Sequence, residues 1–442
     1  MTTAARREGF TTRQVHGGSV PHTARSRTTP IYLTAGFPFE SFDDAAAHFG
    51  QGDGFGYTRV GNPTIDVVER RIAALEGGAQ ALLVASGQAA VTVALLGLVS
   101  TGDHIVSSTH IYEGTRGLFL DNFARLGIEV DFVDDIDDPA AWQALIRPTT
   151  RALFAESIAN ARNDLLDVRT VADIGEVHGI PLVVDNTLAT PYLHRPLEHG
   201  AAIVVHSASK FLSGQGSVLG GVIVDDGRFD AAAAGAKFPH LVEPGRTGGP
   251  SLYERHGGLA RIAHLRETVG PRLGPTPSPL NAFLIGQGLE TLSLRVREQS
   301  RNAALLAAWL EARPEVASVD YIGLPSHPHH RHVDRYLPDG TGSVFTFTLH
   351  GSTGEARRFI EAVEVVTHMT HVGDVRSLVL HPATTSHVQR TPDERAAHGV
   401  FDGTLRLSVG IEDAADLIAD LDRALAASHP VPVRVEPATV LA

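Results

Sequence analysis

One amine is set among small hydroxyl residues in the stretch VVHSASKFLSGQG, Val204–Gly216. Lys210 follows a β-branched run together with Ser207 and Ser209, and glycines come after it. A second polar group closes another apolar run: in PLVVDNT, Pro181–Thr187, Asp185 is followed by Asn186 and Thr187. A carboxylate there is costly unless paired, so Asp185 either caps the next segment or faces a heteroaromatic N–H⁺. A third stretch, ASGQAA (Ala85–Ala90), puts a glycine turn between a strand-like and a helix-like segment. Backbone N–H groups at such a helix start bind phosphate; the alternative is an ordinary tight turn. Other phosphate motifs are missing. No Walker lysine follows these glycines, and GQGSVLGG (Gly214–Gly221) lacks the G-x-G-x-x-G spacing of a dinucleotide site.

Taken together, a lysine for a Schiff base, an acid for a pyridinium nitrogen and a phosphate cup are the three protein parts of a pyridoxal 5'-phosphate (PLP) site. Ser207 and Ser209 then serve as hydroxyl donors to the phosphate. Such groups meet only if strand ends bring them together. From about residue 64 the pattern alternates helix and strand. Thr64–Gly78 and Gln88–Val99 read as helices, and 81–86, 104–108, 152–157, 181–187, 201–207 and 220–226 as strands. Continuous apolar strands between helices predict a mainly parallel sheet covered on both faces, an α/β fold. Ligands of open parallel sheets sit beyond the carboxyl ends of the strands. That rule gathers Gly87, Gln88, Tyr112, Asn160, Asp185, Thr187, Ser207, Ser209 and Lys210.

Residues 1–60 are rich in turn formers and weak in periodicity, which predicts an extended arm. GPRLGPTPSPL (Gly270–Leu280) marks a boundary, so 61–265 reads as the ligand-binding α/β domain and 266–442 as a smaller α/β domain. In the latter we expect one long helix over 281–312, strands at 343–349 and 404–410, and helices at 354–363 and 413–426. At 442 residues the chain exceeds one ordinary core. A net charge of -13 argues against a nucleic-acid partner. The absence of cysteine excludes disulfides and thiolate metal sites. No apolar run approaches the roughly 20 residues that span a bilayer, and the N-terminal stretch lacks a signal-peptide core. We therefore expect a cytoplasmic protein with a small-molecule substrate and no membrane partner. SHPHHRH (Ser326–His332) lacks a second ligand cluster, so we expect no metal.

The chain also resembles the fold-type I, PLP-dependent enzymes of Cys/Met metabolism. The resemblance is carried by YTRVGNPT, RIAALEGG, VASGQAA, IYEGT, ESIAN, VVDNT, HSASKF, PLNAFLIGQGLETLSLR, GLPSHP, HPATTSH and LRLSVGIED, in the family's order over nearly the whole chain. SGQAA, ESIAN and NAFLIGQGLETLSLR are most similar to the O-acetylhomoserine sulfhydrylase branch. The resemblance implies Lys210 as the Schiff-base lysine and proton shuttle, Asp185 on the pyridine nitrogen and Tyr112 stacked on the ring. It implies Gly87, Gln88, Ser207 and Ser209 at the phosphate, with Thr187 beside them. Tyr57 and Arg59 would reach a neighbouring subunit's cofactor within a homotetramer of catalytic dimers. Arg406 would bind the substrate carboxylate with Asn160 beside it, and Ser377 would support that loop.

The implied activity is γ-replacement on an O-acylated homoserine, acetyl rather than succinyl, with sulfide or a thiol. Departures from the family pattern fall on the acceptor side. Glu113 and Arg116 replace a Gly and a Tyr, Gln215 stands where His is commoner, and His371 stands where Asn or Ser is expected. Thr370 replaces the Glu of cystathionine-handling members. A specialised γ-replacement with another nucleophile therefore stays open. An α,γ-elimination lyase is the further alternative, although lyases favour a cysteine where this chain has Gly114. A non-catalytic PLP-fold protein is disfavoured by the intact Lys210, Asp185 and Arg406.

Overall fold

The computed structural model describes residues 8–18, 25–51, 54–245 and 248–429. Seven strands build its larger sheet: β1 (Gln80–Val84), β2 (His104–Ser108), β3 (Glu129–Val133), β4 (Thr150–Glu156), β5 (Leu182–Asp185), β6 (Ile203–Ser207) and β7 (Gly221–Asp225). They lie in the order β1-β7-β6-β5-β4-β2-β3, and only β7 runs antiparallel to its neighbours. The central strands β5, β6 and β7 are largely apolar because both faces are covered. Val183, Val205 and Ile223 pack into one buried cluster, while Val184, Val204, Val222 and Val224 pack into the other.

The smaller sheet holds β8 (Val316–Asp320), β9 (Val344–Leu349), β10 (Thr367–His368), β11 (Leu378–Leu380) and β12 (Thr404–Ser408), in the order β10-β11-β12-β9-β8. Its core is a separate cluster that includes Phe345, Phe347, Leu405, Leu407 and Leu421.

Several expectations change on inspection. The helix expected over 281–312 is two helices, Pro279–Leu289 and Leu292–Glu311, with Glu290 and Thr291 between them. The arm is not wholly extended, since Phe10–His16 and Phe42–Gln51 are helical. Strands β3, β8, β10 and β11 were not expected. β3 and β8 are partly exposed and β10 and β11 very short, so neither kind carries a long apolar run.

Two packing contacts carry the smaller sheet's residues toward the larger sheet. From the helix Leu292–Glu311, Arg295 donates to the Phe211 carbonyl (2.9 Å) and Gln299 to the Asp374 carbonyl (2.7 Å). Between β10 and β11, Gly373 has φ +77°, and a side chain there would meet the Phe211 backbone nitrogen at 2.7 Å. The β10–β11 loop therefore docks directly on the turn that bears Lys210.

Candidate active site

The carboxyl ends of the larger sheet open into a cavity of about 1260 Å³, lined by Gly87, Gln88, Tyr112, Glu156, Asn160, Asp185, Thr187, Ser207, Ser209, Lys210, His371 and Arg406, among others. Three of these are the last residues of their strands: Glu156 of β4, Asp185 of β5 and Ser207 of β6. Ladder registers place Glu156 opposite Asp185, and Asp185 opposite Val205.

Gly87 opens the helix Gly87–Leu96, whose cap Ser86 accepts from the Ala89 amide (3.1 Å). The first amides of a helix have no intrahelical acceptor, so those of Gly87 and Gln88 face a ligand position. A side chain at Gly87 would lie 2.5 Å from the Ser207 Cβ, which is why glycine stands where this helix meets β6.

Asp185 Oδ1 accepts from the amide (3.0 Å) and the hydroxyl (2.5 Å) of Thr187, and the same hydroxyl accepts from the Ser207 amide (2.8 Å). Asp185 Oδ2 has no hydrogen-bond partner among the described residues. Burial raises the Asp185 carboxyl pKa, and the Thr187 hydrogen bonds oppose it. Glu156 was not singled out in the sequence. Burial, and then the Asp185 charge, push it well above the usual carboxylate range while it accepts from the Tyr112 amide (2.5 Å). Its signal was available: like Asp185, it closes an apolar strand with a carboxylate.

Lys210 lies 3.1 Å from His371 Nδ1. Burial, with the nearby Arg406 charge, lowers its ammonium to about 8. Arg406 lies in the middle of β12, is 7% exposed and forms no ion pair with any described residue. Burial lowers it to about 10. Asn160 Oδ1 is buried in the same cavity with no partner. A buried guanidinium and an unused amide oxygen lining one cavity have the chemistry to receive a carboxylate and an N–H group.

Other expected residues are placed differently. Ser209 is in the cavity, but its hydroxyl donates to the Gly220 carbonyl (3.2 Å) and accepts from the Gly220 amide (3.0 Å). Ser377 lies outside the lining. Its hydroxyl donates to Glu412 (2.8 Å) and accepts from Gly410 (2.9 Å), which fixes the strand-end loop after β12. Arg116 also lies outside, over the Phe132 ring at 5.0 Å. The exposed Gln215 contributes its carbonyl to Arg376 (2.9 Å). Tyr57 and Arg59 stack on each other 5.4 Å apart, away from this chain's own cavity. Glu113 and His371 do line it. His327, His329 and His330 each contact a backbone carbonyl through a ring nitrogen.

The cavity fits PLP on its own geometry: an amine, a strand-end carboxylate with one free oxygen, two open amides at a helix start and an exposed aromatic ring. The profile of the Cys/Met metabolism PLP-dependent enzymes matches residues 11–426. This chain belongs to that family. PLP is its cofactor, and the fold is fold type I. The chain is 43% identical over 429 residues to an O-acetyl-L-homoserine sulfhydrylase of Corynebacterium glutamicum, covering 95% of this chain and 97% of that one. It is 42% identical over 423 residues to a homocysteine synthase of Schizosaccharomyces pombe, covering 95% and 98%. A crystal structure of a Campylobacter jejuni protein described as an O-acetylhomoserine (thiol)-lyase superposes with TM-score 0.91 at 35% identity, covering 95% of this chain and all of that one. That protein carries a pyridoxyl phosphate group on a lysine.

Proposed function

We propose that this chain catalyses γ-replacement on O-acetyl-L-homoserine with sulfide or a small thiol, giving homocysteine or a methionine-type product. The observation that carries the reading is Arg406: a buried guanidinium without an ion-pair partner among the described residues, in one cavity with Lys210 and Asp185. Lys210 would hold PLP covalently, Asp185 Oδ2 would face its pyridine nitrogen and Tyr112 its ring. The Gly87 and Gln88 amides and the Ser207 hydroxyl would hold its phosphate. Ser209 would join them only by giving up its bond to Gly220. When bound, PLP supplies an electron sink for the pair left at the substrate's α-carbon.

The chain's own groups perform the remaining tasks. Arg406, with Asn160, binds and orients the α-carboxylate. Lys210, once free, moves protons at the substrate's α- and β-carbons, and an amine titrating at about 8 suits that task near neutral pH. Gly114 supports replacement over elimination. At this place the chain lacks the cysteine that the resemblance associates with elimination enzymes.

The site is completed, in this reading, by a second subunit. Tyr57 and Arg59 lie outside their own cavity, and the arm leaves Leu33, Phe42 and Phe49 74%, 87% and 82% exposed. This supports a homotetramer of catalytic dimers. Among the described residues no helix is long and apolar enough to cross a membrane, consistent with a cytoplasmic enzyme. The test is incubation with O-acetyl-L-homoserine and sulfide and, separately, with methionine, each read by mass spectrometry. Homocysteine supports the reading. Ketobutyrate and ammonia from methionine, with no replacement product, would make the enzyme a lyase instead.

A further inference from the structure

His371 occupies a place that the function proposed above does not explain. It sits in the β10–β11 loop, which is fixed at several points. The Val375 amide donates to the Gly214 carbonyl (3.0 Å), the Gly373 amide to the Ser408 hydroxyl (2.9 Å), and Gln299 to the Asp374 carbonyl (2.7 Å). The loop therefore presents His371 in one place, 3.1 Å from the Lys210 amine.

The ammonium form of Lys210 only donates hydrogen bonds, so at neutral pH the ring nitrogen facing it is an acceptor. Nδ1 is then bare and the neutral ring carries its proton on Nε2, which is buried without a partner. The charged groups around the ring are Lys210, Arg406 and Asp374. Burial and the Lys210 charge together lower His371 to about 4. The ring stays uncharged at neutral pH and keeps its acceptor.

We propose that His371 is a positioning residue for Lys210: its neutral imidazole holds the ε-amine through a bare Nδ1 and brings no negative charge to it. A carboxylate at the same place would hold the amine equally well but would favour its protonated form. A hydrocarbon there would leave the amine undirected. Imidazole supplies direction while leaving the lysine a usable base, and the proton stays on Lys210. The inference rests on the reading of Lys210 as the cofactor lysine.

The chain has only two lysines, Lys210 and Lys237, which makes the test direct. Full-length protein freed of cofactor is acylated over a pH series, and each lysine is followed by mass spectrometry. Wild-type Lys210 should show a midpoint near 8. His371→Glu should raise it by at least about one unit, and His371→Asn should leave it near the wild-type value. In the cofactor-loaded enzyme, His371→Leu should lower kcat by about tenfold with little change in the donor KM, and His371→Asn should restore part of that loss.

An unshifted Lys210 midpoint in His371→Glu, or a full kcat in His371→Leu, would overturn the proposal. If those variants fail to fold, the wild type still decides: a Lys210 midpoint near the ordinary value of about 10.4 would overturn it. A chain that takes up no PLP would instead overturn the function proposed above, and the acylation result would remain readable.

Discussion

The two walls of the cavity are built in different ways. The deep wall consists of strand ends: Glu156, Asp185 and Ser207 close neighbouring strands whose ladder hydrogen bonds fix their spacing. Thr187 ties two of those ends together. The opposite wall is irregular chain, with Met369, Thr370, Thr385, Ser386, Val388 and Gln389 contributing. Side chains hold it. Arg390, itself buried, donates to Glu113 (2.6 Å) across 277 residues of sequence, and His387 stands 3.7 Å from the same carboxylate. Backbone-built geometry suits the shared chemistry at the substrate's α-carbon. A wall held by side chains can change its occupant without disturbing that chemistry.

The largest effect should come from the deep wall. Lys210→Ala removes the proton-moving amine, so turnover should fall by roughly 10³-fold or more in a steady-state assay. Arg406→Gln should raise the KM for O-acetyl-L-homoserine by about 10- to 100-fold, the value of a charge-assisted carboxylate contact, with cofactor binding retained. The outer wall should respond more gently and selectively. Arg390→Ala frees the loop 381–391, so the KM for the nucleophile should rise about tenfold while the donor KM stays within about twofold. Equal rises in both KM values would erase the distinction between the walls.

A smaller effect lies outside both walls. His194 is buried, and burial, then the neighbouring His199, lowers it from 6.5 to about 3. The folded state thus binds fewer protons than the unfolded state between these values, so stability falls as pH drops below 6.5 toward 3. Between pH 7 and 5.5 this group should contribute about 1 kcal/mol of loss. His194→Phe should flatten that part of the slope in urea denaturation.

The same contrast explains what could be read in the sequence. Apolar strands ending in a polar residue are a local pattern, so β5 and β6, Asp185 and Lys210 could be found without coordinates. The Arg390–Glu113 contact joins residues far apart in the chain, each ordinary in its own surroundings. Arg116 was expected on the acceptor side because it replaces a Tyr of the family pattern, yet it lies outside the cavity and rests on Phe132. Ser377 was expected to support the loop near Arg406, but its partner Glu412 could not be read, because the pairing depends on where the loop after β12 returns. The break at Glu290 and Thr291 is invisible to periodicity, because apolar residues continue on both sides of it.

The most direct test of the account is borohydride reduction of the PLP-loaded protein followed by peptide mass spectrometry. Two lysines are present, so the outcome is unambiguous. The pyridoxyl phosphate group should appear on the peptide containing Lys210 and be absent from the one containing Lys237. Label on Lys237, or protein that takes up PLP and is labelled at neither lysine, would contradict the deep wall as the cofactor site.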